Sequence, residues 1–467
     1  MYEVLLYTAL FAAAGLAALF AYVAVIGATQ LNRHRETGWF HLTPYLIFLT
    51  VALITISGGR DLTQGTWSLL TEEAMTRAPW AAWLQRGLTL FLLLISSERI
   101  ASTVFRRKRA GAFTWLLPLF VMYWYCAVAS PALFGRYPQF SYEYLYPLLI
   151  GVAGLLVSGK ECAQFVIATR NATLLFIAAG VFLIPVKMGL VLETNYSQGF
   201  IPGLPRMAGL SPHALQLGLV VQVSLLTLWV EPLESKWWNR MAWLMCLLVL
   251  FLAQSKTAWI SFAVCASVMQ IVRSGPEVRK WVFNPERPFQ GVVSIVGLVL
   301  FAMLLAYGAL FSQVGDKVLG FFDTKEGATL LTLNGREQIW EVAFQEWERN
   351  PLFGYGPSFL NLAHRTSIGM LNATHAHNQF VDDLARAGLI GASSLVVYAI
   401  ALLCLSIRYA FQTRGLSIAL YIVLFLRGVS EIPLSMYGYG AEFAAHILLL
   451  MVLVMMSRNH GSRVRAL

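Results

Sequence analysis

His375 and His377 stand one residue apart in the polar stretch "NATHAHNQFVDDLARAGLIG", which turns into a membrane-length apolar run within about a dozen residues. A histidine near its ordinary pKa is the usual side chain for taking a proton from a hydroxyl at neutral pH. The His-Ala-His spacing would also suit a metal. On a helix, however, a two-residue gap turns side chains about 200° apart, and no third ligand is evident. Asp382 and Asp383 follow five and six residues after His377, where a regular helix would not stack them on it. The plainer alternative is a helix start at the membrane edge, capped by Thr374 or Asn378. Spacing alone leaves both readings open.

A second set of residues could handle a polyanion. Arg206 lies in "IPGLPRMAGLSPHALQLG", Lys256 in "AQSKTAWI", Arg336 at the head of an amphipathic segment, and Arg427 and Glu431 in "FLRGVSEIPL". Cations that converge on one pocket would suit a lipid-linked diphosphate, because the arginine fork binds phosphate oxygens in pairs and stays charged. Taken singly, each is equally a headgroup contact or a snorkelling side chain. Arg427 and Glu431, four residues apart, could instead form an internal ion pair on one helix face.

The elements that must position these residues are membrane spans. Of 467 residues, 58% are hydrophobic and only 12% charged, about half the charge of a soluble domain. Apolar runs suggest spans near 4–28, 43–58, 85–104, 113–135, 143–158, 172–193, 213–231, 240–254, 257–272, 290–312, 389–407, 415–432 and 441–457, each long enough to cross or nearly cross a bilayer. The fold class is an all-α polytopic membrane protein of about 12–13 transmembrane helices. The net charge of +10 is concentrated in the blocks "NRHR", "RRKR", "RSGPEVRK" and "RNHGSRVR" between or after spans. Such blocks mark cytoplasmic loops, and nucleic acid is not implied. With the basic tail inside, every strongly basic loop falls on one side, and the N-terminus falls outside. The N-terminus has no basic residue before its apolar run and reads as a retained span, not a cleaved signal. Of five cysteines, four lie in apolar runs and Cys162 in an expected cytoplasmic loop, which points to neither disulfides nor a thiolate metal site.

The outside segment 313–388 is too long for a simple connector. Within it "LNGREQIWEVAFQEWERNPLFGYG" predicts a helix capped by Asn334 with Glu337 in capping-box position, presenting Trp340, Phe344 and Trp347 on one aromatic face toward the membrane surface or the bundle. The organisation expected is N-terminal transmembrane helices over 1–193, a catalytic membrane region over 194–457 that includes the loop 313–388, and a basic cytoplasmic tail over 458–467. The sequence has no phosphate-cradling Gly-Lys-Ser/Thr loop and no D-x-D pair, so an enzyme acting outside would need a donor that arrives already activated.

In these segments the chain resembles the O-antigen ligase and O-antigen polymerase superfamily of bacterial envelope glycosyltransferases. "PRMAGLSPHALQLG" resembles that family's Arg-containing loop, and "QSKTAWISFAV" its "SR-x-A" hairpin. "LNGREQIWEVAFQEWERNPLFGYGPSFL" is similar to its "GR-x-x-x-W … NP-x-x-G-x-G" stretch, and "HAHNQFVDDLARAGLIG" to its "HN-x-x-L … GLIG" stretch. The resemblance implies a GT-C-like fold in the bacterial inner membrane with its active site facing the periplasm. It implies inverting, metal-independent transfer without a cofactor, from an undecaprenyl diphosphate-linked glycan to the lipid A core or a growing glycan. By the same resemblance His377 is the general base, and Arg336 and Arg206 hold the diphosphate. Lys256 stands where many members carry arginine. His375, Asn378, Arg427 and Glu431 are possible supporting residues without a family role. From a different class, a multi-span transporter or lipid-linked glycan flippase would also suit the span count. Such a protein should place charges near mid-bilayer, whereas most charges here gather at the outer edge.

Overall fold

The computed structural model describes residues 38–64, 78–105, 115–196, 203–282, 336–371 and 373–464, together with residues 15, 19–30, 289, 292, 293 and 296. The expected span at 290–312, the Asn334 cap, the loop residues 313–335 and the basic blocks at 32–35 and 106–109 lie outside these, apart from three of the isolated positions. Within them the chain is a bundle of apolar helices. Six are long and apolar enough to cross a membrane: Phe40–Ser57, Pro79–Val104, Leu116–Phe134, Gly159–Phe182, Lys256–Gly275 and Gln379–Arg408. Shorter apolar helices run over Leu19–Gln30, Ala214–Val230, Leu416–Gly428 and Ala441–Met456. The all-α polytopic expectation holds. The one sheet among the described residues is a two-residue pairing of Leu192 with Met207 and Glu193 with Arg206.

The Ala441–Val464 helix forms the axis of the bundle. Ile447 through Val454 are each at most 1% exposed, as a helix apolar on every side must be if it is sheathed by others. It packs on Gly159–Phe182, Leu145–Leu155, Leu416–Gly428, Ala214–Val230 and Thr43–Ser57.

Three boundaries differ from the sequence reading. The segment 159–170, expected as a cytoplasmic loop, is the first half of the Gly159–Phe182 helix, and Cys162 is buried within it. Ser158 and Glu161 form a capping box there. The polar side chains that suggested a loop are matched by protein: Glu161 pairs with Arg99 at 3.1 Å, and Arg170 donates to the carbonyls of Glu231 and Pro232. The block 273–280, also expected as a loop, continues a helix that runs over Lys256–Val282.

The third difference lies beside the histidines. The helix expected from 389 begins at Gln379 and runs to Arg408, with a break at Gly388, whose φ is 63° and ψ −160°. A break frees backbone groups that must be satisfied elsewhere. Here the preceding "NPLFGYG" loop satisfies them. The amides of Tyr355 and Gly356 donate to the carbonyls of Ala385 and Arg386 at 2.8 and 2.9 Å, and those of Leu389 and Ile390 donate back to Pro351 and Leu352 at 2.8 and 3.3 Å. Only glycine permits this approach: a Cβ on Gly388 would overlap the Leu352 carbonyl, and one on Gly354 would lie 2.6 Å from the Ala385 oxygen.

Candidate functional site

The His375–His377 turn is held from both sides by its backbone. The Ala376 amide donates to Asp382 Oδ1 at 3.0 Å, and its carbonyl accepts from Trp340 Nε1 at 2.8 Å. Asp382 in turn pairs with Arg386 at 2.6 Å. Trp340 belongs to the Arg336–Arg349 helix, so that helix docks on the histidine turn. Its aromatic face is split: Trp340 packs inward and Phe344 is exposed, while Ala343 and Glu346 are the buried residues. Glu346 gathers Arg136, from far along the chain, at 2.9 Å and Arg349, one turn on, which holds this side of the helix inward. Asn378 caps the Gln379–Arg408 helix, its Oδ1 accepting from the Val381 amide at 3.1 Å. The capping alternative therefore applies to Asn378 and leaves the histidines available. His377 itself sits at φ 51°, an uncommon conformation for a residue with a side chain, which recurs at functional sites.

Glu431 joins the two histidines. Its Oε2 lies 3.2 Å from His375 Nε2 and its Oε1 lies 3.6 Å from His377 Nδ1. The helix that would have stacked Glu431 on Arg427 ends at Gly428, and the chain turns so that the two part company. Arg427 instead pairs with Glu442, 2.6 Å from Nη2 and 2.8 Å from Nε, and donates to the Leu215 carbonyl at 3.0 Å. The expected Arg427–Glu431 pair is thus replaced by Arg427–Glu442 and a His375–Glu431–His377 cluster. All of these residues line one cavity of about 570 Å³, whose walls also include His213 and Tyr439.

The two rings are not equivalent. His375 Nδ1 accepts the His377 backbone N–H at 3.1 Å. A neutral ring with that acceptor carries its proton on Nε2, where it faces Glu431. Both nitrogens of His375 are therefore engaged. His377 turns Nδ1 toward Glu431, and among the described residues no protein group bonds its Nε2. Burial, reinforced by the neighbouring His377, pulls the His375 pKa down to about 4. For Glu431 burial works upward, but the His377 ring, then His375 and Arg427, outweigh it and bring the carboxyl to about 2.

These shifts set a pH dependence. Below its ordinary pKa of 6.5 the unfolded chain protonates His375, whereas the folded chain resists until about 4. The unfolded state therefore binds more protons in that window, and stability falls as pH drops from 6.5 toward 4. Glu431 acts in the same direction below 4.5, its ordinary value, down to about 2. The melting temperature in detergent should accordingly fall between pH 7 and 5, and His375→Asn should flatten that slope. An unchanged slope in the variant would remove His375 as its source.

His375, His377 and Glu431 offer one ligand atom each, all within 4.8 Å of one another, so the third ligand that the sequence did not reveal is present. The hydrogen bonds fit a proton-sharing cluster better than a metal. A metal on His375 Nε2 would need the proton on Nδ1, where the His377 amide already donates, and Arg427 lines the same cavity.

The cations converge in part. Arg336 is half-buried; burial lowers its pKa and Glu431 raises it, so it remains a cation within reach of the cluster. Arg206 is buried, donates to the Ala253 carbonyl at 3.3 Å and lies over the Tyr196 ring at 4.4 Å. It acts on the site through its field on His213. Lys256 is not on the cavity wall. Its hairpin supports the Arg206 loop instead, with Gln254 Nε2 donating to the Leu204 carbonyl at 2.7 Å.

Two residues of the site were not singled out from sequence. His213 caps the Ala214–Val230 helix, its Nδ1 accepting from the Leu215 amide at 3.2 Å. Surrounding protein, then Arg206, lowers its pKa to about 4. It is thus a neutral ring with its N–H on Nε2, and "SPHA" before an apolar run is the cap signal that could have found it. Arg60 is buried and donates to the carbonyls of Leu190, Gly209, Ser211 and Pro212, fixing the loop that carries His213. A lone arginine after a span carries no comparable sequence signal.

Residues 241–396 match the family profile of O-antigen ligases. This region belongs to the O-antigen ligase family. No curated protein matches the chain. The matched residues contain Lys256, Arg336, His375 and His377, and the whole Gly354–Gly388 junction. The wider resemblance, which included Arg206, extends beyond them on the N-terminal side. The match together with the six membrane-length helices supports a membrane enzyme of the O-antigen ligase or polymerase type.

Proposed function

We propose that the protein transfers a glycan from undecaprenyl diphosphate to an acceptor hydroxyl at the periplasmic edge of the inner membrane, on a GT-C-like fold, with inversion and without a metal. The observation that carries this reading is the asymmetry of the two histidines around Glu431. His375 has both ring nitrogens occupied, whereas His377 is oriented through Nδ1 and leaves Nε2 to accept a proton. In the reaction His377 takes the proton from the acceptor hydroxyl as its oxygen bonds to the anomeric carbon. The bond from that carbon to the diphosphate oxygen breaks on the opposite face, and the electron pair leaves with the diphosphate. Glu431 stabilises the imidazolium that forms. Arg336 stabilises the negative charge gathering on the leaving group, and Arg206 and Lys256 add to the positive field from behind. Residues 194–457 form the catalytic region on this reading, with 1–193 as the N-terminal membrane helices and 458–467 as a cytoplasmic tail.

The test is a gel profile of surface polysaccharide, with the lipid-linked glycan analysed alongside, from a deletion strain complemented with wild type or Arg336 variants. Long chains lost, with single repeats left on the lipid core, identify a polymerase. Polymer stranded on the carrier, with a bare core, identifies a ligase. Normal profiles in the deletion strain would overturn the proposal. Arg336→Ala should lower transfer roughly 10²- to 10³-fold, the worth of one donor aimed at developing charge. Arg336→Lys should recover part of that, because it keeps the charge and loses the fork.

A further inference from the structure

From the cavity a file of tyrosine rings leads away toward the surface. Tyr439 lines the cavity and is fixed by a 2.5 Å contact between its hydroxyl and Thr89 Oγ1. The Tyr146 ring stands 6.1 Å from that of Tyr439, and the Tyr142 ring stands 6.1 Å from that of Tyr146. Tyr142 is 68% exposed. The last two rings are four residues apart across the start of the Leu145–Leu155 helix, whereas Tyr439 comes from the loop before the Ala441–Val464 helix. Two elements nearly three hundred residues apart in sequence thus build one continuous aromatic path into the chamber of His375 and His377.

We propose that this path is a glycan track, along which the sugar chain remote from the reacting bond lies when the substrate occupies the cavity. The inference deepens the proposed function and rests on it for the class of ligand. A pyranose presents a face of C–H groups to the negative face of an aromatic ring while its hydroxyls look outward for hydrogen bonds. The successive rings stand about a sugar's length apart. The rings meet at interplanar angles of 61° and 54°, edge toward face and not stacked, an arrangement that leaves the faces of the edge-on ring to other partners. A track for the polyprenyl tail would call for aliphatic side chains. Here every ring carries a phenol hydroxyl and the exposed Glu143 adjoins Tyr142. A membrane-interface belt would also use tyrosine, but nothing in that role requires the file to end in the cavity.

The decisive readout is chain-length dependence. In transfer assays with purified, membrane-reconstituted protein, Tyr142→Ala should raise KM for donors of several repeats about three- to tenfold, the worth of one aromatic contact. The kcat should stay within about twofold, and single-repeat donors too short to reach Tyr142 should be used as by wild type. Tyr142→Phe should behave as wild type with every donor. Because Tyr142 is exposed, its truncation opens no core, and Tyr146→Ala provides a second, larger lesion of the same kind. Direct binding separates this inference from the proposal beneath it. The probe is the soluble oligosaccharide released by mild acid from the host's lipid-linked glycan, measured by calorimetry. It should bind His377→Ala as tightly as wild type and Tyr142→Ala more weakly. Equal KM values for all chain lengths in both alanine variants would overturn the track. So would a binding defect that appears with a polyprenyl phosphate and not with the oligosaccharide. Normal transfer by His377→Ala, with the length dependence intact, would sink the base assignment and leave the track standing.

Discussion

His377→Ala is expected to transfer glycan roughly 10²- to 10⁴-fold more slowly than wild type, the usual worth of a general base, while inserting and melting nearly as wild type. The melting temperature should fall only modestly, because the turn is fixed by the Ala376 backbone through Trp340 and Asp382 and the ring contributes its contact with Glu431, 3.6 Å from Nδ1. His375→Ala should cost less activity and more stability, since His375 both accepts the His377 amide and contacts Glu431 at 3.2 Å. The two single variants therefore move activity and stability in opposite order. A well-inserted His377→Ala protein with wild-type transfer rates would end the assignment.

Gly388→Ala is expected to have the largest structural effect of any single methyl group added to the site. The residue sits at φ 63° and ψ −160°, a region that is essentially glycine's and costs other residues about 1–3 kcal/mol. Its new Cβ would meet the Leu352 carbonyl, and displacing packed backbone costs about 1–3 kcal/mol more. Together these approach the whole stability of a marginal domain. The damage should spread to the four hydrogen bonds that join residues 351–356 to the broken helix, and through them to the position of Arg336. Thermal unfolding in detergent and the yield of monodisperse protein would register the loss. Gly87→Ala, within the regular Pro79–Val104 helix, provides a milder control for handling, because its Cβ would meet nothing within 4 Å. Equal stability of Gly388→Ala and wild type would show that the break can relax.

The sequence and the structure agree best where chemistry is written in local pattern. Apolar runs marked the spans, and Asn378 before an amphipathic run marked a cap, because both signals depend on neighbours in sequence. The histidines were visible by type. Their inequivalence was not, since it arises from one amide and one distant carboxylate. Glu431 shows why such partners escape pattern. Its four-residue spacing from Arg427 predicted a helical ion pair, but Gly428 closes the helix between them, and only folding decides what the freed carboxylate meets. Lys256 was grouped with the diphosphate-binding cations by resemblance; it lies off the cavity wall, and the folded chain adds that its hairpin braces the loop of Arg206. The Arg336–Arg349 helix adds a contact that periodicity could not show: Glu346 is drawn inward by Arg136, a residue over two hundred positions away, while Trp340 docks on the histidine turn and Phe344 stays exposed.

The helix at the centre of the bundle has a bearing on how the protein is born. Ala441–Val464 follows in the chain every helix that packs around it, so throughout translation the earlier spans must wait in the bilayer around a missing axis. Glu442 and Phe443, part of the cavity wall, arrive with that same helix, and so does the partner that neutralises Arg427. A nascent chain that already carries both histidines and Arg336 therefore still lacks a chamber in which to use them. On the function proposed above, catalytic competence would thus be deferred until the axis enters the membrane, domains and spans of a nascent chain being completed in order of synthesis.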